Sequence, residues 1–296
     1  MKIIAGSTHH GLAKRVASLL DAPLIKPLIS RFSDSEFKVQ IIDDIRDDDV
    51  YIIQSTSEPV NENLVELLLL IDTARCAGAN KITAIIPYFG YSRQDHTTYN
   101  YGPLPAQLVI NLIQHAGAEK VIVIDIHSSS VLKNSTLLIQ NLSPSHLFTK
   151  LISSSSPLIV GPDVGSTDRV QILSSHTGWD FIIFNKIRTF NDNCIISSEA
   201  ISVEGRDCIL IDDIIDTGNT ICQAATYLRY RGAASVKAFV THIISQDVSD
   251  YVAKNSTIES IYVTDTIVHK NLHSKFCVLS VDRLIVNSIS QHKNTI

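Results

Sequence analysis

Short runs of apolar, β-branched residues alternate along this chain with segments whose apolar positions recur at the helical period. That arrangement builds βαβ units and a parallel sheet. In the first half Val50 to Ile53 reads as a strand, Asn61 as the N-cap of a helix ending near Gly78, and Lys81 to Ile86 as the next strand. A helix over about Leu104 to His115 follows, stopped by Gly117. Lys120 to Ile126 is then a Val- and Ile-rich run suited to a sheet covered on both faces.

From Ser128 to Ser156 the chain turns rich in Ser, Asn and Pro, which places a domain boundary near Ser143 and Pro144. The theme then recurs. Strands are expected at Leu158 to Val160, Phe181 to Phe184, Cys208 to Ile211, Val236 to Val240 and Ile261 to Val263, with helices at about Asp168 to Ser175 and Asn219 to Arg231. The fold class is therefore α/β, with two wound, mostly parallel-sheet domains, 1–143 and 144–296. The tail beyond Lys275 offers one more strand and a short helix, free to pack on either domain. No residue-level repeat relates the halves.

Composition narrows the class. With 296 residues, 45% hydrophobic and 19% charged, the chain has the make-up of an ordinary two-domain globular protein rather than a disordered one. A net charge of −5 argues against general nucleic-acid binding and leaves room for local phosphate pockets. The five cysteines are scattered, with no Cys-x-x-Cys spacing, so neither a disulfide framework nor zinc is indicated and a reducing cytoplasm fits best. The N-terminus reaches Gly6 and polar residues too soon for a signal-peptide core. The greasiest run, Leu64 to Ile71, carries Glu66 and is too short to span a bilayer, so no membrane segment is expected.

The chemistry concentrates in Ile209 to Thr220, where a buried-type strand delivers the acids Asp212, Asp213 and Asp216 and then Thr217, Gly218, Asn219 and Thr220 at a helix start. In open α/β sheets ligands sit at the carboxyl ends of strands, and a helix N-terminus offers free N–H groups and a positive dipole to an anion. Residues 216–220 therefore suit a phosphate. Two adjacent carboxylates would repel it, so Asp212 and Asp213 are expected to face sugar hydroxyls or a cation. A strand with solvated acids and a Thr N-cap is the plainer alternative.

This stretch resembles the phosphoribosyl-binding loop shared by phosphoribosyltransferases and ribose-phosphate pyrophosphokinases (phosphoribosyl pyrophosphate synthetases). The first half separates the two. Arg31-Phe32-Ser33-Asp34-Ser35-Glu36 and Pro87-Tyr88-Phe89-Gly90-Tyr91-Ser92-Arg93-Gln94-Asp95 resemble the ATP-binding segments of the synthetases. Phe32 is suited to stack on adenine, Asp34 or Glu36 to accept from its amine, and Arg93, Gln94 and Asp95 to the remainder of the nucleotide. No Walker-type or protein-kinase motif competes as an ATP route. The likeness continues through Pro59 to Leu64 and Val263 to Ile267, nearly the whole chain.

The resemblance implies an active site in the cleft between two phosphoribosyltransferase-like domains, with Mg²⁺ as cofactor. It gives His127, after Asp125-Ile126, and Asp163, in Gly161-Pro162-Asp163-Val164-Gly165, a part in binding that metal. A lone strand-end histidine is equally read as an ordinary hydrogen-bonded one, and magnesium prefers oxygen ligands. Lys186-Ile187-Arg188 resembles the family's catalytic loop, where Lys186 and Arg188 would neutralise charge in the transition state. The implied reaction transfers the β,γ-diphosphoryl group of ATP to the 1-hydroxyl of ribose 5-phosphate, in a homo-oligomer that is dimer-based, with a hexamer as the larger alternative. A phosphoribosyltransferase and a catalytically silent partner subunit are the rival readings.

The chain departs from the family pattern at four places. Ile187 replaces a common middle arginine, and His96 to Gly102 replaces a Lys- and Arg-rich stretch. Ser35 stands where Gly is common, and Gly218-Asn219 replaces a small residue followed by Gly.

Overall fold

A computed structural model describes residues 1–93, 104–128, 135–152, 154, 156–184, 201–245 and 247–293. The chain divides into two units. One comprises Met1–Ser143, Thr266–Val268 and the chain from Ser280 on, and the other Pro144–Asp265 and His269–Leu279.

In the first unit β1 (Lys2–Ala5), α1 (His10–Leu19), β2 (Leu24–Ile25), a β3–β4 hairpin (Leu28–Arg31, Phe37–Gln40), β5 (Asp49–Ile53), α2 (Val60–Cys76), β6 (Lys81–Ile86), α3 (Pro105–Ala116), β7 (Lys120–Ile124) and β8 (Leu138–Leu142) follow one another. The sheet order is β2-β1-β5-β6-β7-β8, and every pairing is parallel. Leu67 and Ile71 of α2 and Val109 and Ile113 of α3 close over one face with Ile4, Ile52 and Val121. This burial explains why β5 to β7 read as nearly unbroken apolar runs.

Four details differ from the sequence reading. Asn61 does not cap α2. Pro59 holds that position, and the Asn61 amide oxygen instead accepts from the Tyr91 hydroxyl. β7 stops at Ile124, because Asp125 turns to φ +45° and leaves the strand conformation. β8 arises inside the Ser-rich stretch read as a boundary loop. The β3–β4 hairpin had no counterpart in the reading, since only parts of it alternate in polarity.

The second unit contains α4 (Ser145–Thr149), β9 (Leu158–Gly161), a 3-10 turn (Val164–Ser166), α5 (Thr167–Thr177), β10 (Phe181–Ile183), β11 (Asp207–Ile215), α6 (Asn219–Tyr230), β12 (Ser235–Ile243), α7 (Val248–Asn255), β13 (Ser260–Thr264) and β14 (Phe276–Leu279). Its sheet, again wholly parallel, runs β10-β9-β11-β12-β13-β14. Ile221, Ala225 and Leu228 of α6 pack with Val252 of α7, Leu210 and Val240 on one face. Val170 and Leu173 of α5 pack with Phe148, Ile209, Ile211 and Phe239 on the other. Phe239 also stacks on Tyr262 with centroids 4.7 Å apart.

The chain then returns to the first unit as α8 (Asp282–Lys293), which lies against α1. Arg15 Nε meets Asp282 at 3.0 Å, and Ser288 donates to Gln140. Among the described residues no helix is long and apolar enough to cross a membrane.

Candidate active site

In each sheet the strand order reverses once, between β1 and β5 in the first unit and between β9 and β11 in the second. The carboxyl ends of such strands flank the crevice where α/β sheets bind ligands.

The first crevice is filled by the protein itself. Ahead of α1, Ser7 directs its N–H to Glu66 Oε1 (2.7 Å) and its hydroxyl to Oε2 (2.6 Å). Thr8 donates from both N–H and hydroxyl to Gln54 Oε1 (3.1 and 2.8 Å) and accepts from the Ser55 N–H (2.9 Å). Glu66 is 1% exposed, so an internal carboxylate occupies the place an anion would take at this helix start. The close approach needs a glycine, because a Cβ on Gly6 would stand 2.1 Å from Gln54 Oε1. Gly6→Ala is expected to lower stability by about 1–3 kcal/mol. Urea unfolding measures this, and an unchanged midpoint would mean that the network yields freely.

The second crevice presents open polar groups. Central β11 runs two residues past Asp213, because its register with β12 continues to Ile215↔Ile243. Ile209 and Ile211 pack on the α5 side, and alternation carries Asp213 to that side as well. There Arg169 Nη2 meets Asp213 Oδ2 at 3.2 Å, with the two side chains only 13% and 5% exposed. Arg169 Nη1 also donates to Gly165 O (3.3 Å), joining α5 to the loop that leaves β9. In that loop Asp163 accepts from the Gly165 N–H (2.9 Å), and the Ser166 hydroxyl returns to Asp163 O (2.6 Å). Sequence reading gave Arg169 no role. Its only local signal is its place on the helix after Asp163.

Asp212 Oδ1 accepts from the Asp213 N–H (3.0 Å). Burial, then the charges of Asp213 and Asp163, hold the Asp212 carboxyl well above the usual carboxylate range. The folded state therefore keeps a proton that the unfolded chain releases, and this group lowers stability as pH rises through its unfolded value toward its folded one. Asp212→Asn cannot ionise. Free of substrate and metal, it is expected to be more stable than wild type at neutral pH, with the difference vanishing below the ordinary carboxylate pKa. Urea midpoints across pH test this; a variant less stable at neutral pH contradicts it.

After β11 come Asp216 and exposed Thr217, then buried Gly218 at φ +78°, ψ −3°, then exposed Asn219 and Thr220 opening α6. Only glycine takes that backbone freely, and a Cβ there would stand 2.3 Å from Val252 Cγ2. The Cys222 N–H makes the first helical bond, to Gly218 O, so the N–H groups of Thr220 and Ile221 have no acceptor within the helix. Free helix N–H groups therefore stand beside a row of acids.

The charges of Asp213 and Asp163 bear on Asp212, and Arg169 pairs with Asp213. Excess negative charge on hard oxygens suits a divalent cation. Among the described residues no three or more His, Cys, Asp or Glu are grouped to hold a metal. His127 is exposed after β7 in the first unit.

Of the segments read as nucleotide-binding, Phe32 to Glu36 form the tip of the β3–β4 hairpin. Phe32 N–H bonds Glu36 O, Asp34 Oδ1 takes the Glu36 N–H, and the Phe32 ring is 55% exposed. Ser35 stands at φ +74°, the conformation that makes glycine common there. Arg31 lies 4.1 Å over the Phe37 ring and pairs with Glu62 on α2. Beyond β6, Tyr88 N–H bonds Ser55 Oγ (3.0 Å) and Gly90 N–H bonds Thr56 Oγ1 (2.7 Å), so the segment is pinned and Arg93 is presented outward. Gln94, Asp95, Lys186 and Arg188 lie outside the described residues, as does His96 to Gly102.

The comparisons with known proteins agree along the chain. A family model described as the N-terminal domain of ribose phosphate pyrophosphokinase matches residues 1–117, and one described as the phosphoribosyl transferase domain matches residues 127–280. A ribose-phosphate pyrophosphokinase of Helicobacter pylori is 38% identical over 97% of this chain and 92% of its own length. That of Thermotoga maritima is 36% identical over 98% of this chain and 94% of its own. The crystal structure of phosphoribosylpyrophosphate synthetase from Mycobacterium smegmatis superposes with a TM-score of 0.91 at 28% identity, covering 100% of this chain and 99% of that one. A sheet pair wound in this way, with an acid-flanked phosphate loop in the second unit and full-length likeness to these enzymes, places the chain in the ribose-phosphate pyrophosphokinase family.

Proposed function

We propose that the protein transfers the β,γ-diphosphoryl group of ATP to the 1-hydroxyl of ribose 5-phosphate, giving 5-phosphoribosyl 1-diphosphate and AMP. The observation that carries this reading is the second unit's crevice, where the Asp212–Asp213 pair stands beside the open N-terminus of α6. It receives a sugar phosphate end on. Residues 216–220 bind the 5-phosphate, and Asp212 with Asp213 accepts from ribose hydroxyls, which turns the anomeric oxygen outward.

Phe32, Asp34, Glu36, Arg93, Gln94 and Asp95 serve the adenine and its triphosphate. Phe32 has the exposed ring that stacking requires. Mg²⁺, with His127 and Asp163 on the protein side, supplies charge neutralisation on the triphosphate when bound. Lys186 and Arg188 stabilise the negative charge on the transferred group. The anomeric oxygen attacks the β-phosphorus, the bond to the α-phosphate oxygen breaks, and AMP leaves. The working form is a homo-oligomer in the cytoplasm.

Incubation of the purified chain with ATP, Mg²⁺ and ribose 5-phosphate tests the reading. AMP and phosphoribosyl pyrophosphate are expected in equal amounts. Absence of both, over varied metal and phosphate concentrations, overturns it.

A further inference from the structure

Asn219 is the residue of the phosphate loop that departs most from the family pattern, and the structure gives its side chain a partner. Tyr251 on α7 donates its hydroxyl to Asn219 Oδ1 at 2.7 Å. The two elements are held together just beneath. A Cβ on Gly218 would stand 2.3 Å from Val252 Cγ2, 3.3 Å from Val248 Cγ2 and 3.5 Å from Tyr251 Cδ1, so α7 is seated directly on the loop glycine.

An asparagine amide can present either its oxygen or its NH₂ to a neighbouring anion. The oxygen would repel a phosphate and the NH₂ would bind it. A tyrosine hydroxyl that occupies the oxygen selects the second. The extra donor matters here because the backbone N–H of Asn219 is directed at Thr217 Oγ1, at 3.4 Å. Glycine at this position has only that N–H.

We propose that Asn219 and Tyr251 form a donor specific to this chain for the phosphate of ribose 5-phosphate: Tyr251 holds the amide oxygen, and the amide NH₂ joins the first-turn N–H groups of α6 around the anion. The inference rests on the ribose 5-phosphate reading of this loop. Tyr251 is a positioning residue that acts through Asn219, and Asn219 touches the substrate.

Steady-state kinetics of the full chain with Tyr251→Phe, Asn219→Gly and the double variant test it, alongside calorimetric binding of ribose 5-phosphate without ATP. Tyr251→Phe keeps the ring that packs near Gly218 and removes only the hydroxyl. It is expected to raise KM for ribose 5-phosphate about threefold to tenfold, the worth of one neutral hydrogen bond, with little change in kcat or in KM for ATP. Asn219→Gly is expected to produce a similar rise, and the double variant no more than Asn219→Gly alone. Binding of ribose 5-phosphate by the wild type with unaltered affinity in Tyr251→Phe overturns the inference alone, as do independent, additive effects of the two changes. Failure of the wild type to bind ribose 5-phosphate at all overturns both the inference and the reading beneath it.

Discussion

Arg169→Ala is expected to destabilise the second unit by about 3–5 kcal/mol and to remove most of the activity. The side chain pairs with the buried carboxylate of Asp213 and also binds the carbonyl of Gly165. Its loss takes from the buried Asp213 a cation at 3.2 Å. The loop from β9 also loses the Arg169 bond to its Gly165 carbonyl.

Urea unfolding followed by circular dichroism measures the stability term. A double replacement separates fold from function. Arg169→Met with Asp213→Leu fills the space with apolar groups and is expected to recover much of the stability, since a buried ion pair replaced as a whole costs little. Activity is expected to stay lost, because Asp213 no longer meets the ribose. A single variant within about 1 kcal/mol of wild type contradicts the buried-pair account.

Lys186→Ala carries the second large effect. A transferred diphosphoryl group gathers negative charge on oxygens that water no longer solvates, and a preorganised cation stabilises that charge more in the transition state than in the bound substrate. The replacement is expected to lower kcat roughly a thousandfold, with smaller changes in KM for either substrate and an unaltered unfolding midpoint. Single-turnover measurement at saturating substrates isolates the chemical step. A rate within about threefold of wild type removes Lys186 from that role.

The sequence made the second crevice legible because its parts are contiguous. A nine-residue strand, its acids and a helix-opening Thr-Gly-Asn-Thr follow one another without a break, and each has a local physical meaning. Parallel order could be inferred from the unbroken apolar runs of β5, β6, β7 and β11. Long-range pairings left no such trace. Arg169 finds Asp213, and Tyr251 finds Asn219, only after separate helices pack on the sheet. Glu66 looked like an interruption in an apolar helix, yet it fills the first crevice by binding Ser7. The Phe32 segment resembles a nucleotide-binding segment in sequence, and the structure makes it the tip of a hairpin with its ring exposed. Ser35 was an oddity in sequence, and its positive φ explains the preference for glycine.

The two crevices also differ in what they leave for a ligand. The same wound sheet plugs one with Gln54 and Glu66 and opens the other at residues 216–220. The proposed sugar-phosphate site is the second.

The most direct test of the central claim follows the β-phosphorus of ATP. With ATP radiolabelled at that position, Mg²⁺ and ribose 5-phosphate, the account predicts that the label moves into phosphoribosyl pyrophosphate while the AMP formed stays unlabelled. Label recovered in ADP, which signals transfer of the terminal phosphoryl group alone, or retained wholly in ATP, contradicts it.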